Sequence, residues 1–554
     1  MSYQRLLQQQ TRLAASAFVV APSLCRSSYI FNRRSFHGFR KYQEDPRWPG
    51  WQVIVGIETH AQIKSRRKLF SDAFNSNLDD EPNTHVVPFD AAFPGTLPKL
   101  NPKCVDLGLR TAVALKCDIN RRSSFDRKHY FYSDLPSGYQ ITQQYSPLAM
   151  NGALQVTTAG GEPFTVRIKQ IQLEQDTAKS TFNPRTRTSR IDLNRAGAGL
   201  MEIVSEPDMR SPEEAAGYVR TLQSILRAMG SSDGNMEQGS MRCDVNISVN
   251  RKGETPGTRC EIKNLNSVRF MMAAITHEVH RQIAFLAENP GEHVPQETRG
   301  FNEDTFTTFR LRSKEDAPDY RYMPDANLGV LVLSEARINE IKSTLPPLPH
   351  EVRERLLEKY PVLRDKARQA SLDVLLVNNE RVVGLDGEDA GGAIRWFDEL
   401  CEGGRDPALV LNWLTQELMG QLASRKETLA DNTLSVSQFG ALVDMVASRT
   451  LTGTSGKFLL RHMLANPSQR PMKEIAEELE LIALAPSTSS SPQLHALCTA
   501  AIAALPSEVA AVRAGNKNVL NKIVGHVMRA SRGRADALVV RVLVEELVFE
   551  EKNA

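Results

Sequence analysis

Apolar and polar residues alternate with a period of two along several short stretches between Trp51 and Leu333. In VIVGIETHAQI, Val53, Val55, Ile57, Thr59 and Ala61 fall on one side, and Gly56, Glu58, His60 and Gln62 on the other. That is the alternation of a half-buried strand. MRCDVNISV repeats it, with Met241, Cys243, Val245, Ile247 and Val249 opposite Arg242, Asp244, Asn246 and Ser248. TRCEIKN turns Arg259, Glu261 and Lys263 outward, and VRIKQIQLEQD keeps Gln170, Gln172 and Glu174 in phase. Gly152, Gly160-Gly161 and Asn183-Pro184 punctuate this half with turns. A helix opens at Ser211-Pro212-Glu213-Glu214, carries the stripe Val219, Leu222, Leu226 and Met229, and ends at Gly230. Another runs from near Ser267 to Leu286, stopped by Asn289-Pro290-Gly291. After Leu345 the helical period takes over, broken by a Ser/Pro loop at 486–492. The expected fold class is α+β. An antiparallel β domain with flanking helices spans 46–345, and two all-helical domains follow, a linker over 346–404 and a tail over 405–554.

The polar faces leave two readings open. An antiparallel sheet with one face in water is the plainer one. Solvated faces favour Lys, Glu and Thr, however, and these carry His, Asn, Gln, Arg and Asp together. Carboxylates beside a histidine offer ligands for Mg²⁺ or Mn²⁺, and neighbouring Arg and Lys can clamp phosphate oxygens. Phosphoryl transfer needs that combination, because its transition state is stabilised mostly by positioned charge.

The 554 residues are too many for one ordinary core, and 41% apolar with 24% charged residues is a globular composition. No stretch reaches the roughly 20 apolar residues of a membrane span, so stable membrane insertion is not expected. The first 45 residues differ from the rest. Up to Gln43 they hold seven basic residues and no acid, which reads as a mitochondrial transit peptide, or else as a basic arm for nucleic acid. Without those seven, 61 basic face 65 acidic residues, a net charge of −4, so any nucleic-acid contact must be a local patch. The tail holds one. Arg513, Lys517, Lys522, Arg529, Arg532 and Arg534 follow one another with no acid between them, which favours phosphate-backbone contact over a merely solvated helix face. Lys522, His526 and Arg529 are expected opposite the stripe of Leu520, Ile523, Val524, Val527 and Met528. Seven cysteines without a C-x-x-C spacing suit a reducing compartment. Gly453-Thr-Ser-Gly456-Lys457 imitates a phosphate-binding loop, but Leu451 stands where its first glycine belongs.

Longer motifs carry a resemblance. GIETHAQI, HYFYSDLPSGYQITQ, IDLNRAGAGLMEIVSEPDMRSPEEA, SMRCDVNISV, RCEIKNLNS and RSKEDAPDYRYMPDANL closely resemble the B subunit of glutamyl-tRNA(Gln) amidotransferase. The likeness runs from about residue 50 almost to the end, and with the leader it resembles the mitochondrial form, placed in the matrix. The resemblance implies a cradle-like β domain and a C-terminal tail that meets the tRNA. It implies a ligase that uses ATP and Mg²⁺ to phosphorylate the glutamyl side chain of mischarged Glu-tRNA(Gln). Ammonia from the A subunit, a glutaminase, then displaces the phosphate, and a small third subunit completes the complex. It also implies site residues: Glu58, His60 and Glu174 as metal ligands, with Asp192, Arg195, Glu202, Glu206, Glu261 and Lys263 completing the catalytic set.

Three departures from the family pattern matter. Val87-Pro-Phe-Asp90-Ala-Ala replaces C-P-V-C-L-G, so the zinc of those relatives is not expected. Ala196-Gly-Ala-Gly199-Leu200 replaces S-G-V-P-L, which loosens a turn beside the pocket. Gln175 stands where an acid is usual, which removes one outer metal contact and keeps open a tRNA-binding scaffold with a decayed pocket. A free-standing metal hydrolase is the remaining alternative, and it would leave the basic tail without a task.

Overall fold

The computed structural model describes residues 45–550 apart from positions 78, 159–161, 314–319, 381–383, 388–391, 426, 428, 430, 485–490 and 515. Residues 1–44 of the expected leader, the turn at Gly160-Gly161 and most of the 486–492 loop lie outside the described residues.

Nine strands form one sheet: β1 (Trp51–Gln62), β2 (Asp118–Ile119), β3 (Ala149–Val156), β4 (Phe164–Gln175), β5 (Gly199–Ser205), β6 (Met241–Arg251), β7 (Cys260–Leu265), β8 (Glu297–Asn302) and β9 (Thr307–Ser313). Their order is β9-β8-β7-β6-β1-β5-β4-β3-β2. Only β7 and β8 run parallel; every other neighbouring pair is antiparallel. The first strand therefore lies in the middle, with its polar side chains reached from both flanks. Its Val53, Val55, Ile57 and Ala61 are buried, as the alternation predicts.

Three helices cover the apolar face: α1 (Pro102–Ala114), α2 (Pro212–Ala228) and α3 (Val268–Glu288). They touch β4, β3 and β6 respectively. The Ser211 hydroxyl accepts from the Glu214 N–H at 3.1 Å, and Pro212 occupies the first turn. Such a cap contributes about 1 kcal/mol. The Glu214 carboxylate accepts from Arg210 N–H rather than from Ser211, so the capping box is only half closed. Past the helix, Gly230 takes φ +66°, the left-handed stop read from the sequence. With the helices on one side, the opposite face of the sheet is left to polar side chains.

Beyond the sheet the buried side chains form two more cores, one from Val352 to Leu481 and one from Leu494 to Val548. The division expected at 405 crosses the first of these. Leu400, Leu411 and Trp413 share that core because the helices on either side of 405 pack on one another. The next break between cores falls after Leu481. Among the described residues no single helix is long and apolar enough to cross a membrane. Pro492–Ala504 and Pro506–Arg513 reach that composition only as a pair bent by 92°.

Candidate active site

Register decides which side chains meet. Across the ladders, Gln172 of β4 stands opposite Glu202 of β5, Glu202 opposite His60 of β1, and His60 opposite Arg242 of β6. Four strands thus place a carboxamide, a carboxylate, an imidazole and a guanidinium in one row on the polar face. Glu174, two residues on from Gln172, leans into the same row. His60 Nε2 lies 3.9 Å from Glu202 Oε2 and 4.0 Å from Glu174 Oε1. Donor atoms of these three residues all fall within 4.8 Å of one another, a spacing that can hold a metal ion.

A small three-stranded sheet of Asp126–His129, Tyr139–Thr142 and Met323–Pro324 adds further groups to the cluster. Gln140 Nε2 donates to Glu174 Oε1 at 3.2 Å and to the Gln175 carbonyl at 2.6 Å. Lys128 Nζ stands 3.9 Å from Glu174 Oε2. That oxygen is buried and has no hydrogen-bond partner among the described residues. Gln172 Nε2 donates to Glu202 Oε2 and, at 3.3 Å, to Thr142 Oγ1.

Burial and mutual charge divide the two carboxylates. Burial pushes the Glu202 carboxyl up to about 7, and the neighbouring Glu174 carboxylate adds to the rise. Glu174 moves the other way: burial opposes its ionisation, but Lys128 and His60 outweigh it and hold the carboxyl below its ordinary value. Burial also opposes the charge on Lys128, and Glu174 with Glu202 keep its pKa above that of a free lysine. The cluster thus pairs a carboxyl whose ionised form its neighbours favour with one whose ionisation burial and its neighbour oppose.

The remaining expected site residues form a second layer. Glu58 faces Asp244 across the β1–β6 ladder and accepts from Asn246 Nδ2 at 3.0 Å, outside the His60–Glu174–Glu202 trio. In the geometry Glu202 takes the third place that the family pattern assigns to Glu58. Lys263 Nζ bridges Asp244 Oδ2 at 3.0 Å and Glu261 Oε1 at 3.2 Å. Burial opposes ionisation of Asp244, yet Lys263 and His60 hold its pKa low. Asp192 caps its own turn, accepting from the backbone N–H of Asn83 and of Asn194, each at 3.0 Å. Arg195 donates to the carbonyls of Thr177 at 3.0 Å and Ala178 at 2.8 Å, so its guanidinium ties a turn together. Glu206 follows a bulge in β5 between Val204 and Ser205, and its N–H donates to the Arg167 carbonyl, away from the trio.

Lys128, Gln140 and Asp176 are absent from the expected set. Asp176 shares the parity of Glu174 in LEQD, a usable signal. Lys128 and Gln140 come from short strands without a clear period. Gln175, which stands where an acid is usual, accepts from the Ile141 N–H at 3.4 Å, so its side chain braces the small sheet. The loop that departs from the cysteine pattern holds a buried ion pair, with Lys68 Nζ 3.1 Å from Asp90 Oδ2. Gly197, in the departing AGAGL turn, takes φ +85°, and a Cβ there would sit 2.7 Å from Asp90 Oδ1.

The tail cations divide in two. Arg513 donates to the Val548 carbonyl at 3.0 Å and Arg534 to that of Ile482 at 3.1 Å. Lys522, Arg529 and Arg532 are exposed; Lys517 lies in a short 3₁₀ turn, and its side chain is outside the described residues. His526 is half-buried, and its Nδ1 is buried without a hydrogen-bond partner among the described residues. Lys457 of the imitation phosphate loop is paired with Glu417 at 2.7 Å.

Comparison with known proteins bears on this arrangement. Residues 53–339 match the family described as the GatB/GatE catalytic domain, and residues 395–548 match the GatB domain. The chain is 62% identical over 545 residues to the B subunit of the mitochondrial glutamyl-tRNA(Gln) amidotransferase of Laccaria bicolor, covering 95% of this chain and 96% of that one. A protein of the same name from Mycosarcoma maydis is 43% identical, covering 90% and 86%. The B subunit of the aspartyl/glutamyl-tRNA(Asn/Gln) amidotransferase of Rickettsia bellii is 41% identical, covering 90% and 97%.

Proposed function

The chain belongs to the family of tRNA-dependent amidotransferase B subunits, and from that premise we propose that the His60–Glu174–Glu202 face is where a glutamyl side chain is phosphorylated. As a mitochondrial member, it works with an A subunit in an amidotransferase that takes its amide nitrogen from glutamine and converts Glu-tRNA(Gln) to Gln-tRNA(Gln). The finer reading is that ATP supplies the phosphoryl group, that Mg²⁺ assists, and that a small third subunit completes the assembly. The observation that carries it is the convergence of two carboxylates and an imidazole beside a lysine on one polar sheet face.

A carboxylate is a poor electrophile and its oxygen a poor leaving group. Phosphorylation removes both obstacles, so ammonia can attack. The residues fit a divalent cation: two carboxylates and an imidazole converge, and Glu174 Oε2 is buried without a hydrogen-bond partner among the described residues. His60, Glu174 and Glu202 would hold it, and when bound it supplies positive charge against phosphate oxygens. Lys128 balances Glu174, while Gln140 and Gln172 fix the orientation of the two carboxylates. Lys263 bridges Asp244 and Glu261 at the edge of the face. The exposed Lys522, Arg529 and Arg532 support contact between the tail and tRNA phosphates.

Reconstitution with the A subunit and a small third subunit tests this. Glu-tRNA(Gln), ATP, Mg²⁺ and glutamine should yield Gln-tRNA(Gln), with ATP cleavage that depends on the glutamylated tRNA. Conversion that proceeds without ATP cleavage, or ATP cleavage indifferent to glutamyl-tRNA, would refute it. A scaffold with a decayed pocket would bind tRNA and cleave no ATP.

A further inference from the structure

The cations around the cluster differ in how fully they are engaged. Lys128 faces Glu174. Lys263 is held between Asp244 and Glu261. Arg195 binds two carbonyls and lies 3.4 Å from Asp176. Arg242 differs. Its Nη2 donates to both oxygens of Asp176, at 3.2 and 3.3 Å. Its Nε and Nη1 have no hydrogen-bond partner among the described residues, and its side chain is 26% exposed.

Position supports a role for those remaining N–H groups. Arg242 is the ladder partner of His60, so its guanidinium flanks the metal-binding trio on the polar face. Asp176 is 5% exposed and lies two residues after Glu174, just past the end of β4, so the segment that supplies one member of the trio also aligns the arginine. A guanidinium gripped at one nitrogen presents the rest of its planar fork in a fixed direction, which suits phosphate oxygens.

We infer that Arg242, aligned by Asp176, binds the oxygens of the phosphoryl group being transferred; this rests on the phosphorylation reading above. In that step the bond between the γ-phosphorus and the oxygen bridging to ADP breaks, and a bond from the glutamyl carboxylate oxygen to that phosphorus forms. ADP leaves with the electron pair and no proton moves. Two anions must approach, so a cation with free donors beside the trio lowers the barrier. Asp176 acts through Arg242 and is a positioning residue.

The test compares ADP with a non-hydrolysable ATP analogue, each titrated calorimetrically into the reconstituted complex, with and without EDTA. The intact complex should bind the analogue more tightly than ADP, and Arg242→Ala should erase about a tenfold part of that preference while leaving ADP binding unchanged. Phosphorylation in a single turnover should fall about 10²-fold, and added guanidinium should restore part of it. Arg242→Lys keeps the charge without the fork and should recover little. Asp176→Asn should lower the phosphorylation rate without guanidinium rescue. Equal weakening of ADP and analogue binding, or full activity in both Arg242 variants, would overturn the inference alone. Failure of the intact complex to bind either nucleotide would overturn the phosphorylation reading and this inference with it.

Discussion

Glu202 stands directly across the β1–β5 ladder from His60, and its Oε2 lies 3.9 Å from His60 Nε2. Glu58, on the same strand as His60, instead accepts from Asn246. Substituting the two glutamates should therefore have unequal effects. Glu202→Gln keeps the volume and removes a carboxylate from the trio, and should slow glutamyl phosphorylation by about 10³-fold, the upper range for a group that stabilises developing charge. Glu58→Gln should cost about tenfold, as expected of a residue acting through its neighbours. Single-turnover assays on the assembled complex decide this, and equal losses in the two variants would remove Glu202 from the trio.

Gln175 separates the family pattern from the geometry. An acid is usual there, which points to an outer metal contact. Its side chain accepts from the Ile141 N–H instead. A glutamate can accept in the same way, so Gln175→Glu should leave the amidation rate within about threefold, while Gln175→Leu strands a buried N–H and should destabilise by about 1–3 kcal/mol. A large gain in metal affinity for Gln175→Glu would show that the side chain reaches the trio after all.

Much of the sheet was legible because a period of two survives wherever one face is buried. Val53 to Ala61 and Met241 to Val249 show it directly, since every apolar residue quoted from those strands is buried, although Asp244 and Ser248 of the polar set are buried too. The partners of that face were less legible. Which strand lies beside which is set by long-range pairing, so the row from Gln172 through Glu202 and His60 to Arg242 cannot be read from any one segment. Lys128 and Gln140 belong to four-residue strands too short to display a period. Residues on either side of the division expected at 405 share one core, as Leu400, Leu411 and Trp413 do, and only packing shows that.

The buried Lys68–Asp90 pair occupies the loop where relatives are expected to carry cysteines. Both side chains are fully buried. Burial lowers the lysine pKa despite the aspartate, a sign that desolvation is the dominant influence. Removing one partner strands a charge, so Lys68→Met or Asp90→Leu alone should destabilise by about 3–5 kcal/mol. The double substitution should return close to the starting stability, because an apolar pair of similar volume needs no desolvation. Unfolding midpoints of the four proteins form the cycle, and additive losses would mean that the two residues do not act as a pair.

The tail arginines should sort by exposure. Lys522, Arg529 and Arg532 reach solvent, whereas Arg513 and Arg534 hold backbone carbonyls. Reversing the charge of the exposed three should weaken tRNA binding and lower the slope of log K against log salt by about 0.7–0.9 for each phosphate no longer neutralised. Arg534→Ala should lower the melting temperature more than the tRNA affinity. Binding isotherms at several salt concentrations test both, and an unchanged slope in the triple variant would exclude this face from phosphate binding.

Acid stability should report on Glu278, far from the polar face. Its fully buried carboxylate lies 2.6 Å from Arg281 and 3.2 Å from Arg299, and it accepts from Gln282 and Thr308, which ties α3 to β8 and β9. Burial disfavours its ionised form, but the hydrogen bond and charge of Arg281, with Gln282 and Arg299, hold its pKa below the ordinary 4.5. A carboxyl lowered on folding stabilises the protein fully above its unfolded pKa, and that contribution disappears as pH falls through the lowered folded value. Glu278→Gln should therefore cost about 3 kcal/mol at neutral pH, where it takes the carboxylate from Arg281 and leaves Arg299 paired with Glu297 alone. The gap between the two proteins should narrow as the pH falls below 4.5, where the unfolded glutamate binds a proton first, and should close as the native one does so at its lower pKa. Denaturant unfolding on either side of that pH measures the gap. A difference that stays constant across it would mean that the charge of Glu278 contributes nothing to the fold.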